Sequence, residues 1–448
     1  MDEYKENDLI YDKSTDYHNS NSGKEIDMTT FRTNLKDLRQ NLNMNTVSAG
    51  LVAAIFGCTG PALIIIGGAT NGGLTYAETI SWIFAVYFFS GLLGMYLAVK
   101  YRQPISAAHS IAGAVLVAGS LTHFTISEAV GAYLVAHVLV IILGASGLID
   151  KVMKLIPLPI VMGMIVGVMI RFATDMIHSV TVSPLLAGTA IIVFMLSTRF
   201  LKKVPPVLTA LIVAVVLAVV TGAFKVQNVQ DTLILPQLVM PAFSIDAIVS
   251  IGIPLALLII CTENAQATGV LMAQGYKPPN NAMAWKGSIV GLIGALFGGH
   301  AINIAGPMTA ICSSKEVGEK ERRYAASFAN GFFFSTFGIF ASLVVPFVIA
   351  MPSVIVTVIA GLAMLGVLIN SLKTAFSDTK FQMGAFFALI IGMSGITFFN
   401  IGAPLWAILG SLLVSFLVEK DHFKAKAKEN AEAEKMKAMK KGKVETTA

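Results

Sequence analysis

The chain has 448 residues, 55% of them hydrophobic and only 13% charged, with a formal net charge of +6 and a mean hydropathy of +0.74. Soluble chains carry about 25% charged residues, so this composition excludes an ordinary water-soluble domain and makes lipid the main solvent. Much of the positive charge sits in the tail, where Lys420 to Lys443 contribute nine lysines. That run reads as a solvated cytoplasmic tail, with no nucleic acid as partner.

In chain order, residues 1–45 form a polar, acidic segment. It lacks the basic start and apolar core of a secretory signal, so no cleavable signal is expected. A bilayer crossing needs ~20 mostly apolar residues, and backbone polar groups in lipid must be satisfied within the protein. Long apolar runs without period-2 alternation therefore predict helices. Seven spans are expected near 46–68, 77–99, 104–121, 127–148, 156–176, 182–198 and 205–223. A linker over 224–245 carries Pro236 and Pro241. Seven more spans follow near 246–271, 284–298, 300–314, 324–350, 352–371, 381–398 and 401–418, before the basic tail over 420–448. Cys58, Cys261 and Cys312 lie within apolar runs without metal-ligand spacing and read as small core residues.

Charge tests this order independently. Lys100, Arg102, Lys151, Lys154, Arg199, Lys202, Lys203, Lys277, Lys286, Lys315, Lys320, Arg322, Arg323, Lys373 and Lys380 all fall on one side. The opposite loops carry only Lys225. By the positive-inside rule, both termini are cytoplasmic and the chain is a multi-pass protein of the inner membrane.

Internal similarity goes further. "AHSIAGA" at 108–114 resembles "AINIAGP" at 301–307 at an offset of 193, which also sets Pro61 on Pro254. An odd number of spans per repeat inverts the second copy. The expected fold is thus an all-α membrane protein with about 14 transmembrane spans in two inverted seven-span repeats, 46–223 and 246–419. Interrupted segments at matching repeat positions point to a secondary transporter's binding site.

Those segments are spans 3 and 10, each with a short extended break. In "YRQPISAAHSIAGAVLVAG", Pro104 resists helix and Ser110 is a candidate N-cap for a half-helix. In "FGGHAINIAGPMTAICSS", Gly298 and Gly299 break the preceding helix and Pro307 suits a first helical turn. Two half-helix N-termini facing each other would attract an anion. The plainer reading is that Gly and Pro are common in membrane helices. The site reading takes His109, Ser110, Gly113, Glu263, His300, Asn303, Gly306 and Pro307 as substrate contacts.

"GGHAINIAGPMTAIC", "PISAAHSIAGA" and "ENAQATGVLMAQGYKPP" resemble the benzoate:proton symporter family (BenE) over essentially 46–419. That family is similar in architecture to the uracil and xanthine permeases. The resemblance implies a core and a gate domain, with substrate held between short strands of spans 3 and 10. Nucleobase permeases grip the ring with two glutamates. Glu263 matches the first, and Pro307 stands where the second would be. A lost second carboxylate favours an anionic substrate over a base.

Charges at membrane depth cost about 3 kcal/mol on insertion scales and mark function by default. Glu263 is the candidate proton carrier, and His300 the second; a hydrogen-bonded structural role is the plain alternative for both. Asn264 and Gln266 could reach substrate or cap broken backbone. His109 could donate to a carboxylate, and His137 reads as packing. Arg171, Asp175 and His178 share a helix face, with Arg171 and Asp175 spaced for a local ion pair. Phe297 is one of 27 phenylalanines that could stack on a ring. No phosphate loop, zinc-spaced cluster or triad motif is present, so neither a cofactor nor catalysis is expected. The sequence thus predicts proton-coupled uptake of a small, aromatic carboxylate, its partners being that anion, protons and lipid, with a homodimer allowed. A nucleobase carrier on the same scaffold, a passive anion channel and a membrane-embedded enzyme are the competing readings.

Overall fold

The computed structural model describes residues 28–149, 157–201, 204–224, 234–377, 379–398 and 401–425. The first 27 residues, the tail beyond 425, and Lys151, Lys154, Lys202, Lys203 and Lys225 lie outside the described residues.

Local chemistry starts the helices where the sequence places them. Asn43 and Thr46 cap one another reciprocally ahead of Met44–Asn71. Thr75 with Glu78, and Thr125 with Glu128, do the same for Tyr76–Tyr101 and Ile126–Ala145. Pro157, Pro205 and Pro352 immediately precede Leu158–Val182, Pro206–Val220 and Ser353–Phe376. The helix Tyr76–Tyr101 stops at Arg102, which takes a left-handed conformation two residues before Pro104.

Five of the described helices are long and apolar enough to cross a bilayer alone: Met44–Asn71, Tyr76–Tyr101, Ile126–Ala145, Leu158–Val182 and Ser353–Phe376. The expected span over 324–350 is bent. Tyr324–Ile339 and Ala341–Ala350 meet with the chain turned by 68°. The expected spans at 104–121 and 300–314 are half-helices, Ile111–Ser120 and Gly306–Ser313. At about 1.5 Å per residue, eight residues reach only ~12 Å. Among the described residues two short antiparallel strand pairs join the helices, Ala107–Ala108 with Asn303–Ile304 and Thr397–Phe398 with Ile401–Gly402. The second pair has no counterpart among the sequence expectations.

Small residues let the helices pack closely. A Cβ at Gly163 or Gly167 would collide with backbone of Gln382–Ser394, and one at Gly361 with Phe172 and Met176. These contacts bind Leu158–Val182, Ser353–Phe376 and Gln382–Ser394 into one group, joined by Pro184–Phe200, Pro206–Val220 and Ala403–Val418. A second group holds Tyr76–Tyr101, Ile126–Ala145, the long helix 245–273, Asn280–Ala295 and Tyr324–Ile339. Each group draws on both halves of the chain, and Met44–Asn71 touches both. Membrane helices gain little hydrophobic driving force from one another, so such close backbone approach supplies much of their cohesion.

One carboxyl group fastens the first group. The Glu419 carboxylate accepts from the Met383 and Gly384 amides at 2.9 and 3.0 Å and from Ser415 Oγ at 2.6 Å. It thereby caps Gln382–Ser394 from just past the end of Ala403–Val418. Glu419→Ala should destabilise the fold by roughly 2–3 kcal/mol, because it removes several buried hydrogen bonds at once and leaves their donors unpaired. A lower unfolding midpoint in detergent, with ligand affinity of the folded fraction unchanged, is the expected result.

Candidate substrate site

The two broken segments meet in space. Ala107 pairs with Ile304 and Ala108 with Asn303, and the Ala305 amide donates to Ser106 O at 2.9 Å. Behind them Ser106 and Ser327 share a hydroxyl contact of 2.8 Å, and Thr309 Oγ1 accepts from the Ser106 amide at 3.2 Å. The strand pair leaves the N-termini of Ile111–Ser120 and Gly306–Ser313 close together. The 193-residue sequence offset sets Ser110 on Asn303, whereas the structure makes Ser110 and Ala305 the two N-caps. Two chemically unlike turns hide this shift from sequence matching.

The two N-termini differ. Ser110 Oγ accepts from the Gly113 amide at 2.9 Å and donates to Glu263 Oε1 at 3.0 Å. One half-helix therefore has the protein's own Glu263 side chain at its Ser110 cap, which modifies the expectation that both would face an anion. The other starts at Ala305 without any side-chain cap, and Pro307 has no amide hydrogen to satisfy. Ala305, Pro307 and Met308 border a cavity with about 650 Å³ of empty space, part of it open to solvent.

The cavity lies between the two helix groups. Met162 and Ile165 of Leu158–Val182 and Ser371 of Ser353–Phe376 face His109, Glu263 and Pro307 across it, with Phe56 and Phe334 completing an apolar wall. His109 is 3% exposed, and neither ring nitrogen has a protein partner among the described residues. Its ring is held edge-on by Tyr87 at 4.9 Å and lies roughly parallel to Phe334 at 6.4 Å. Tyr87 is itself fixed by a bond to Gly57 O at 3.0 Å. A buried imidazole with free nitrogens on an apolar cavity is a site for a polar ligand group.

His300 takes another place. It is fully buried and does not border the cavity. Its Nδ1 accepts from Trp82 Nε1 at 3.0 Å, which assigns the proton to Nε2, and Nε2 donates to Ser110 O at 2.8 Å. Both nitrogens are engaged, so His300 ties span 10 to the Ser110 cap instead of facing a substrate. Trp82→Phe should loosen that tie, destabilising the protein by roughly 1–3 kcal/mol through an unsatisfied Nδ1. Thermal unfolding with and without ligand measures this.

Of the other expected residues, Gly113 and Gly306 lie just behind the cavity wall. A Cβ on Gly113 would press on Leu255 and His300, and one on Gly306 on Gln266. Gln266 borders the cavity. Asn303 and Asn264 are buried away from it, their amides without protein partners among the described residues. His137 packs over Gly291, where a Cβ would strike its ring. The Arg171–Asp175 ion pair does not form. Both side chains are exposed, and Arg171 reaches across to Met393 O at 3.4 Å. Phe297 packs edge-on against Phe84 and tilted against Phe89, away from the cavity. Phe56, Phe334, Met162 and Ser371 carry no signal in the sequence that separates them from lipid-facing neighbours. Among the described residues no group of His, Cys, Asp and Glu is arranged to hold a metal ion. Cys58 and Cys312 are free thiols, and the Cys261 side chain lies outside the described residues.

A helical, multi-pass bundle with a cavity at two broken helices, between two packed groups, is the build of a membrane transporter. The chain belongs to the benzoate membrane transport protein family (BenE), whose family model matches residues 40–417. It is 27% identical over 394 residues to the benzoate membrane transport protein of Acinetobacter baylyi, covering 88% of this chain and 99% of that one. It is 28% identical over 365 residues to the inner membrane protein YdcO of Escherichia coli, covering 81% and 93%. In fold it is similar to the transmembrane domain of the cyanobacterial bicarbonate transporter BicA, with a TM-score of 0.58, 14% identity and coverage of 83% and 97%. SLC26A9 gives a TM-score of 0.59 at 13% identity, over 84% of this chain and 65% of that one.

Proposed function

We propose that this protein takes up a small aromatic carboxylate together with a proton, by alternating access of the two helix groups around the cavity. The observation that carries this reading is the asymmetry of the two N-termini. One is capped by Ser110, whose hydroxyl holds the Glu263 side chain; the other, at Ala305–Pro307, opens on an apolar cavity beside His109. A carboxylate fits the free N-terminus and the imidazole. An aromatic ring fits between Phe334, Phe56 and Met308. The family and the near full-length relative named for benzoate support a benzoate-like substrate. The heterocycle reading draws on Gln266, whose amide at the cavity could pair with a ring N–H.

The same proposal holds the fourteen-span count, the inverted repeat, the inner-membrane location and cytoplasmic termini. Among the described residues a helical segment lies at each expected span, the bent pair taken as one, and basic residues partition one-sidedly in the sequence, which supports this reading. A cysteine introduced at Lys320 should resist impermeant thiol reagents added to intact cells; labelling from outside would overturn this topology. For substrate, a thermal-shift screen of the purified protein should show stabilisation by benzoate-like anions, about 2.7 kcal/mol at a hundredfold excess over Kd. Stabilisation by uracil or xanthine alone, with no response to any carboxylate, would reject the anion reading.

A further inference from the structure

Away from the cavity, two lysines converge on one phenol. Lys100 Nζ lies 3.0 Å and Lys286 Nζ 3.1 Å from Tyr96 Oη, so the two ammonium groups are at most about 6 Å apart. Both sit at the hydroxyl end of the Tyr96 ring, 5.4 and 5.2 Å from its centroid, and Lys286 sits 4.9 Å from the Trp285 ring centroid. Neither has a carboxylate partner among the described residues, whereas Arg102 pairs with Asp37, Arg322 with Glu319 and Lys424 with Asp421. Two like charges at this distance repel, and a single neutral oxygen cannot offset that repulsion. An anion seated between them would.

The surroundings say which anion. Tyr96 and Trp285 beside lysines have the composition of the bilayer's headgroup zone. Leu92, one turn back from Tyr96, is 41% exposed, and Ile289 and Ile293, following Lys286, are 42% and 46% exposed. The outward faces of Tyr76–Tyr101 and Asn280–Ala295 thus run from apolar side chains to paired ammonium groups. That order matches acyl chain followed by phosphate. Phe31, on the amphipathic helix Met28–Asn41, closes the near side at 6.0 Å from Tyr96.

We infer that Lys100, Lys286 and Tyr96 form a binding site for the headgroup phosphate of an anionic phospholipid, whose chains lie along Leu92, Ile289 and Ile293. The helices so clamped lead directly into the two strands of the substrate site, but the inference does not depend on what the substrate is.

Native mass spectrometry of the full chain, delipidated in detergent and titrated with phosphatidylglycerol or phosphatidylcholine, tests it. The wild type should retain phosphatidylglycerol about tenfold more tightly than the zwitterionic lipid. Lys100→Gln combined with Lys286→Gln should abolish that preference while leaving thermal stabilisation by benzoate intact. If the double variant aggregates, each single variant should lose part of the preference. Equal retention of both lipids by the wild type, or undiminished preference in the variants, overturns the site. Displacement of bound lipid by millimolar glycerol phosphate would show a site for free phosphates instead, and would equally overturn the lipid assignment.

Discussion

Glu263→Gln should still bind substrate, yet fail to concentrate it when an inward proton gradient is imposed on proteoliposomes. In the wild type the Glu263 carboxylate sits at the Ser110 cap and borders the cavity. An arriving anion meets that like charge at low dielectric. Protonation removes the repulsion, so proton and anion bind with positive linkage, and linkage in binding is reciprocal. Wild-type affinity should therefore rise as pH falls, by up to about tenfold per unit for a single linked proton. Glutamine keeps an acceptor for Ser110 and mimics the loaded form. Its affinity should be flat with pH, its accumulation ratio near unity, and its exchange of labelled for unlabelled substrate retained. A glutamine variant that still accumulates substrate would place the coupling proton elsewhere. His109, with both nitrogens free at the cavity, would then be the next candidate, ahead of the fully bonded His300.

Pro307→Glu should cost the protein most of its affinity for an anion. Position 307 lies in the first turn of Gly306–Ser313, where an acidic side chain is compatible with helix and its dipole. The same side chain would take the uncapped N-terminus that the substrate carboxylate is proposed to use. Two unit charges about 5 Å apart at an effective dielectric near 20 repel by roughly 3 kcal/mol, on the order of a hundredfold in Kd. Pro307→Gln separates charge from the loss of proline, and should weaken binding far less. Calorimetric titration with benzoate at neutral pH gives both numbers. Equal Kd for the glutamate and glutamine variants would remove the anion from this helix terminus.

Much of the site was legible one segment at a time. Ser110 as an N-cap, Pro307 in a first turn, the chain breaks at Pro104 and at Gly298–Gly299, and a membrane-depth Glu263 each follow from a few adjacent residues. Local sequence determines such features because capping and proline geometry act over three or four positions. Which of those residues meet was settled only by tertiary packing. Ser110 and Glu263 are 153 positions apart, and Trp82 and His300 are 218 apart. Their contacts decide that one N-terminus already has a protein carboxyl group at its cap and that His300 is a tie. The Arg171–Asp175 spacing allowed a pair, but a carbonyl on a neighbouring helix took the guanidinium instead. Phenylalanines were the least legible. In water, an apolar periodicity marks the face turned from solvent. In lipid both the outer face and the core are apolar, so nothing local separates Phe334 at the cavity from Phe332, which is 55% exposed two residues earlier.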